Sequence, residues 1–218
     1  MTGGLEVAIV GAGGFGREVL QYCADAQEDG WPYSVVGFFD DRLDALNGYN
    51  ICVPVLGTLI DLKREPARVF IIAIGDPAKR GLIARIIDEM GGQLVSLIHP
   101  TAYVARTAEV SPGVVLCPFT LVATGARVGS NVAVNVYSSI GHDSQVGEHC
   151  VISPYSAITG DVKVGPESLL GTHCTVAPGK SIGRRSKVSA GSVVCHDAEA
   201  GSLLIGNPAK GRVIFPAN

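Results

Sequence analysis

The sequence predicts a chain in two parts: a small parallel α/β sheet, then a parallel β-helix. Three observations predict it. From Val104 to Val194 every sixth residue is Ile, Leu or Val, through sixteen consecutive positions. The residue after each is small or short (Ala105, Ser111, Cys117, Ala123, Gly129, Asn135 and onward to Cys195), and never Ile, Leu or Val. Ahead of the repeat, an apolar run meets the glycine-rich turn Gly11-Ala12-Gly13-Gly14-Phe15-Gly16.

The first strand is read at Leu5 to Val10 and the first helix from Arg17 through Cys23. Strand, glycine turn and helix together form a phosphate cradle: the amides of the helix start are free, and glycine lets a ligand approach. A second strand, Val35 to Phe39, ends in Asp40-Asp41, and an acid about 20 residues beyond such glycines commonly holds a ribose hydroxyl. A third, Val69 to Ile74, ends in Gly75-Asp76-Pro77 and leads to a helix reaching about Met90. Leu94 to Ile98 is read as the last strand. Helices alternating with strands predict a doubly wound parallel sheet. Gly11, Gly13, Gly14, Asp40, Asp41, Gly75 and Asp76 are its candidate nucleotide contacts. NAD is the usual ligand of such a turn, but fewer than 100 residues precede the repeat and no dehydrogenase domain follows.

A strict six-residue period fits neither a helix nor a strand pair, but it fits a solenoid. One aliphatic residue per hexad points inward and stacks on its equivalent one coil later. Three hexads close a triangular coil, and coils stack at the strand spacing of about 4.8 Å. The small residue marks the corner, where a larger side chain would collide. Sixteen hexads give about five coils, a prism about 25 Å long.

Composition limits the function. The net charge of -3 leaves no basic face for nucleic acid, and no stretch reaches the length of a membrane span. The opening MTGGLEVAIVGAGG lacks a charged signal-peptide segment, so a cytoplasmic protein is expected. Six cysteines (23, 52, 117, 150, 174 and 195) then read as reduced thiols, the last four as small fillers of the repeat. A metal site from His149-Cys150, His173-Cys174 and Cys195-His196 is the sharper alternative, but no Cys-x-x-Cys pair supports it.

A β-helix core is inert, so chemistry belongs to residues that break the pattern. Asn135 puts an amide at a small position. Lys180 puts a cation in a phase otherwise filled by Ala, Val, Thr, Ser or Cys. His142 with Asp143 is the candidate general base: imidazole titrates near neutrality, and a carboxylate can fix its tautomer. Strand neighbours point opposite ways, so Asp143 serves only if the turn brings it round; two solvated polar residues are the alternative. His149, His173 and His196 read as surface residues, and His99 as a linker residue. Lys180, Arg184, Arg185, Lys187, Lys210 and Arg212 face only Asp197 and Glu199 in the tail. That excess suits a polyphosphate ligand, or equally a solvated cap.

VAIVGAGGFGREV, FFDD, IAIGD, LIHPTA, the hexads and IGNPAK together resemble the bacterial hexapeptide-repeat sugar acyltransferases with an N-terminal nucleotide-sugar domain. That group includes UDP-4-amino-sugar N-acetyltransferases and sialic acid O-acetyltransferase-like proteins. The resemblance implies a Rossmann-like parallel sheet domain over residues 1–98 and a left-handed β-helix with its cap over 99–218. It implies a homotrimer with active sites between subunits, acetyl-CoA as co-substrate with no permanently bound cofactor or metal, and a nucleotide sugar as acceptor. His142 becomes the base, Asp143 its partner and Asn135 a neighbouring-subunit contact. Gly160, one coil beyond His142, aligns with a glycine whose N–H faces the thioester oxygen. Gly191 and Asn207-Pro208-Ala209-Lys210 align with the segment that contacts coenzyme A. Two positions depart: many members have His-Ala-Lys where this chain has Phe15-Gly16-Arg17, and a second histidine where it has Val151. The expected reaction is direct acetyl transfer to the amine of a nucleotide-linked amino sugar. Sugar O-acetylation is the alternative; a metal-dependent hydratase and a non-catalytic nucleotide-sensing scaffold are more remote.

Overall fold

A computed structural model describes residues 5–64 and 68–215. The first four residues, part of the stretch read against a signal peptide, lie outside it. The chain folds as expected: a parallel α/β sheet followed by a left-handed parallel β-helix. No helix among the described residues is long and apolar enough to cross a membrane.

The first sheet contains β1 (Leu5–Val10), β2 (Tyr33–Phe39), β3 (Val55–Gly57), β4 (Val69–Ile72) and β5 (Gln93–Leu94), all parallel, in the order β3-β2-β1-β4-β5. Helix α1 (Gly14–Glu28) covers one face and α2 (Pro77–Glu89) the other. The central run Val7–Val10 is wholly buried, as a parallel strand covered on both faces must be. Strand β3 was not anticipated. It is three residues long and follows a run of turns instead of a helix, so no periodicity marks it.

The expected strand Leu94 to Ile98 divides. Leu94 ends the first sheet beside Phe70, whereas Leu97–Ile98 pairs with Val115–Leu116 and opens the β-helix. One apolar run therefore serves two sheets, which hydrophobicity alone cannot show.

The prism has three parallel faces. The first runs from Leu97–Ile98 to Lys187–Val188, the second from Tyr103–Val104 to Val193–Val194, the third from Glu109–Val110 to Ser181–Ile182. The hexad aliphatics fill one core that includes Leu116, Val122, Ile140, Ile152 and Leu170. Each corner is a two-residue turn, and from Gly113 to Gly191 its second residue has positive φ, between 54° and 77°. Glycine takes that place at 113, 125, 179 and 191, and ten other residues accept it elsewhere. The first turn residue donates no backbone bond among the described residues, which is why proline fits at 112, 118, 154, 166 and 178. Small residues open the corners because the next coil is close: a Cβ on Gly129 would stand 2.7 Å from Glu148 N. Buried serines tie the coils together. Ser144 Oγ donates to Thr159 O and accepts from Val162 N, and Ser138 and Ser168 repeat the pattern.

The end of the prism is capped by a strand at Ser202–Ile205, which joins the first face and turns back antiparallel through Lys210–Val213. The α/β sheet leans on the first face, where Val115 and Cys117 join the α1 core.

Candidate active site

The three corners carry different side chains on the same backbone. Between the second and third faces stands His142-Asp143. Asp143 has φ 60°, so its side chain swings back beside its neighbour instead of pointing away. Its Oδ2 lies 2.9 Å from His142 Nδ1, with both side chains 62% exposed. The turn thus supplies what a strand could not. The hydrogen bond to Asp143 raises the His142 pKa above its ordinary value. It fixes the tautomer with hydrogen on Nδ1 and a free lone pair on Nε2.

Gly160 lies directly under that ring: a Cβ there would collide with His142 Nε2. Its N–H has no hydrogen-bond partner among the described residues. A basic nitrogen on an exposed ring and an unpaired amide donor on the buried glycine beneath it therefore share one corner. Lys180 follows along the same edge, after the Gly179 turn, and its carbonyl accepts from Lys163 N.

Asn135 is not brought to His142 within one chain. It begins a corner between the first and second faces, where its Nδ2 donates to Ile152 O. Gly191 stands on that same corner, several coils on. The chain folds Asn207-Pro208-Ala209-Lys210 against it: Ala209 N donates to Val193 O, Val193 N to Gly206 O, and Gly206 N to Ser192 Oγ. The Asn207–Pro208 peptide is cis. These residues form a second cluster, at the capped end.

In the glycine turn, Gly11 has φ 103°, and a Cβ on Gly16 would collide with Gly11 O, so the loop folds tightly onto α1. Gly13 is the α1 N-cap without a side-chain bond, leaving the helix start open for an anion. Asp40 and Asp41 are already engaged: Asp40 accepts from Ala12 N and Arg42 N, Asp41 from Leu59 N. Asp76 caps α2 by accepting from Lys79 N, while Gly75 faces open space. Phe15 packs against the core, and Arg17 lies over the Tyr49 ring at 3.8 Å.

The remaining histidines go to different corners: His149 between the third and first faces, His173 between the first and second, His196 on the His142 corner. No group of three His, Cys, Asp or Glu able to hold a metal occurs among the described residues. Burial pushes the Cys117 and Cys150 thiols up to about 12, so they stay protonated. In the tail, Arg185 pairs with Glu167 and Lys187 lies over Phe215.

Residues 6–87 match the model of the PglD N-terminal domain, and residues 125–160 match that of the bacterial transferase hexapeptide (six repeats). Among solved structures, a His-to-Asn variant of perosamine N-acetyltransferase from Caulobacter crescentus, in complex with CoA and GDP-perosamine, superposes with a TM-score of 0.87. Identity is 30%, covering 97% of this chain and 98% of that one. This chain belongs to the hexapeptide-repeat sugar acetyltransferases. It is therefore an acyl-transferring enzyme. The acetyltransferase domain of PglB from Neisseria gonorrhoeae, in complex with acetyl coenzyme A, matches with a TM-score of 0.87 at 29% identity over 96% of this chain and 100% of that one. WeeI from Acinetobacter baumannii matches at 0.82 and 25% identity over 95% and 100%. No curated protein matches the chain by sequence.

Some residues of this acetyltransferase were invisible to sequence reasoning. Arg42 lies beside the glycine turn, its Nη2 3.8 Å from where a Gly13 Cβ would be. His99, read from the sequence as a linker residue, does bridge the two parts, with Nε2 3.1 Å from Asp25 Oδ2 and Nδ1 accepting from Thr101 N. Arg80 and Asn131 join them more deeply. A charge on an otherwise ordinary helix gave no signal, whereas Asn131 sits in the corner phase that also holds Asp143.

Proposed function

We propose that this enzyme transfers the acetyl group of acetyl-CoA to the amino group of a nucleotide-linked amino sugar. The observation that carries the reading is the His142–Asp143 pair, with Nε2 free above the unpaired Gly160 N–H. The amine attacks the thioester carbonyl as His142 Nε2 takes its proton. The tetrahedral oxyanion rests on the Gly160 N–H, a donor worth about 3–4 kcal/mol in comparable sites. The carbon–sulfur bond then breaks, and the proton passes from His142 to the departing thiolate. No covalent enzyme intermediate is required, in keeping with thiols held protonated by burial.

Residues 1–98 would hold the acceptor, with Gly11, Gly13 and Gly14 around its phosphates and Gly75, Asp76, Asp40 and Asp41 along the cleft. Residues 99–218 would hold the donor, with Gly191, Asn207, Pro208 and Lys210 at the capped end and Lys180 along the His142 edge. Because Asn135 lies on another corner, its part in the site calls for a second subunit. A cytoplasmic homotrimer that sets one chain's Asn135 corner against the next chain's His142 corner supplies it. Both relatives in complex support the donor, and perosamine N-acetyltransferase supports the acceptor class.

The test is release of free thiol from acetyl-CoA with a panel of UDP- and GDP-linked 4-amino sugars beside free sugars and sialic acid. Turnover with a nucleotide amino sugar, and an amide in the product mass spectrum, is the expected result. An ester product on a free sugar would replace it with O-acetylation.

A further inference from the structure

Arg80 is completely buried, and among the described residues no carboxylate pairs with it. Its guanidinium instead makes five hydrogen bonds, all to neutral oxygens. Nη1 donates to Ile72 O at 2.7 Å and Ile74 O at 3.1 Å. Nε donates to Asn131 O at 3.0 Å. Nη2 donates to Asn131 O at 2.8 Å and Oδ1 at 2.7 Å. Five N–H groups are the full donor capacity of arginine. Two of those bonds go to Ile72, the last residue of β4, and to Ile74, immediately before Gly75 and Asp76. The other three bonds go to two oxygens of one corner residue of the β-helix, Asn131. Burying a cation without a counter-ion is costly, yet the site is fully satisfied.

The network continues to a titrating group. Asn131 Oδ1 is occupied by Arg80, so its Nδ2 must donate, and it does so to Arg80 O and His149 Nδ1 at 3.1 and 3.0 Å. His149 Nδ1 is therefore an unprotonated acceptor, with its hydrogen on Nε2. A proton on Nδ1 would set two donors against each other beside a buried cation. The charged groups around the ring are Glu148 on its own corner, Glu167 one coil on, and Arg80 and Arg85 on α2. Gly81 lets α2 approach: a Cβ there would stand 3.2 Å from the ring. Burial keeps the pKa of His149 below its ordinary value.

We propose that Arg80 is a positioning residue for the nucleotide-bearing acceptor: through Asn131 and neutral His149 it fixes the Gly75-Asp76 edge of the cleft to the β-helix. This rests on the reading that the glycine cradle holds the nucleotide. Neutral His149 locks the edge, and protonation below its pKa loosens it. Acceptor binding, and not donor binding, then weakens in acid.

Arg80→Lys keeps the charge and loses the planar fork. His149→Gln keeps an acceptor for Asn131 that does not titrate. Calorimetric titration with UDP and GDP and steady-state kinetics on the full chain read both. Arg80→Lys is expected to weaken nucleoside diphosphate binding and raise acceptor KM about tenfold or more, with kcat and acetyl-CoA KM within about threefold. A merely structural residue would instead lower kcat with the folded fraction and leave acceptor KM alone. Wild type should lose nucleotide affinity more steeply than His149→Gln as pH falls through the lowered pKa of His149, since ligand phosphate ionisation is common to both. If Arg80→Lys does not fold, the His149→Gln pH profile decides alone. Unchanged nucleotide affinity in folded Arg80→Lys, or matching pH profiles for wild type and His149→Gln, overturns the proposal. If wild type binds CoA but neither nucleotide, the cradle reading fails first and takes this one with it.

Discussion

His142 and His149 are seven residues apart on adjacent corners of the same coil, and the fold gives them opposite chemistry. Each ring lies against a glycine, Gly160 for His142 and Gly81 for His149. His142 bonds a carboxylate in solvent, and its pKa is raised; His149 accepts from an amide beside a buried arginine, and its pKa is lowered. The signs of their linkage to stability differ accordingly. Any contribution from His142 is present below the unfolded value near 6.5 and fades as pH rises through its raised folded pKa. That of His149 is present above about 6.5 and fades as pH falls through its lowered folded pKa. On the proposed mechanism one histidine exchanges a proton, while the other is held neutral. Turn position and partner make the difference: His142 comes first in its turn and bonds the next residue, Asp143, whereas His149 comes second, with φ 61°, and bonds Asn131 one coil back.

The comparison breaks most decisively at His142. His142→Asn should lower kcat by about 10²–10⁴-fold, the range for a positioned general base. The thermal shift produced by CoA should persist, because the proposed donor cluster lies elsewhere. Turnover near wild type would remove the base assignment and leave the two histidines functionally alike. Gly160→Ala comes next. Its methyl group must displace the His142 ring, and misplacing a catalytic group by about 1 Å can cost 10²-fold. A loss of turnover of about that size with a nearly unchanged melting curve is expected, since the His142 ring that must move aside is exposed.

Much of this contrast was readable before any coordinates, and part of it was not. The hexad phases fixed the inward residues because a packed core leaves a periodic trace. His142-Asp143 stood out as a break in that trace. Whether the acid could reach the imidazole depended on backbone φ at residue 143, which no side-chain pattern encodes. His149 read as a surface residue because the sequence of one corner does not say which helix will lie on it. Arg80 was missed for the same reason: the partner that ties it to the β-helix, Asn131, lies 51 residues away. Strand β3 and the division of Leu94–Ile98 were lost because two- and three-residue strands carry no usable period.

Asp143→Asn sharpens the contrast without abolishing it. The amide cannot hold imidazolium as a carboxylate does, so the His142 pKa should fall back towards about 6.5. The acid limb of the pH–kcat profile should move to lower pH, because the imidazole then stays neutral further into acid. At neutral pH more of the enzyme carries free base, yet each base is weaker and less firmly oriented. The net loss should be smaller than for His142→Asn. An acid limb that does not move would mean that Asp143 leaves His142 untouched.

The smallest effect is expected at the counterpart glycine. Gly81→Ala adds a methyl group 3.2 Å from the His149 ring in the middle of α2. Replacing glycine by alanine in a helix interior gains about 1 kcal/mol, and the crowding offsets it as the ring shifts by a few tenths of an ångström. Melting temperature and kcat should both stay close to wild type, in contrast to Gly160→Ala, where the same added carbon meets the proposed base. A comparable collapse of kcat in Gly81→Ala would show that His149 takes part in the chemistry. The division between a proton-exchanging corner and a locking corner would then be lost.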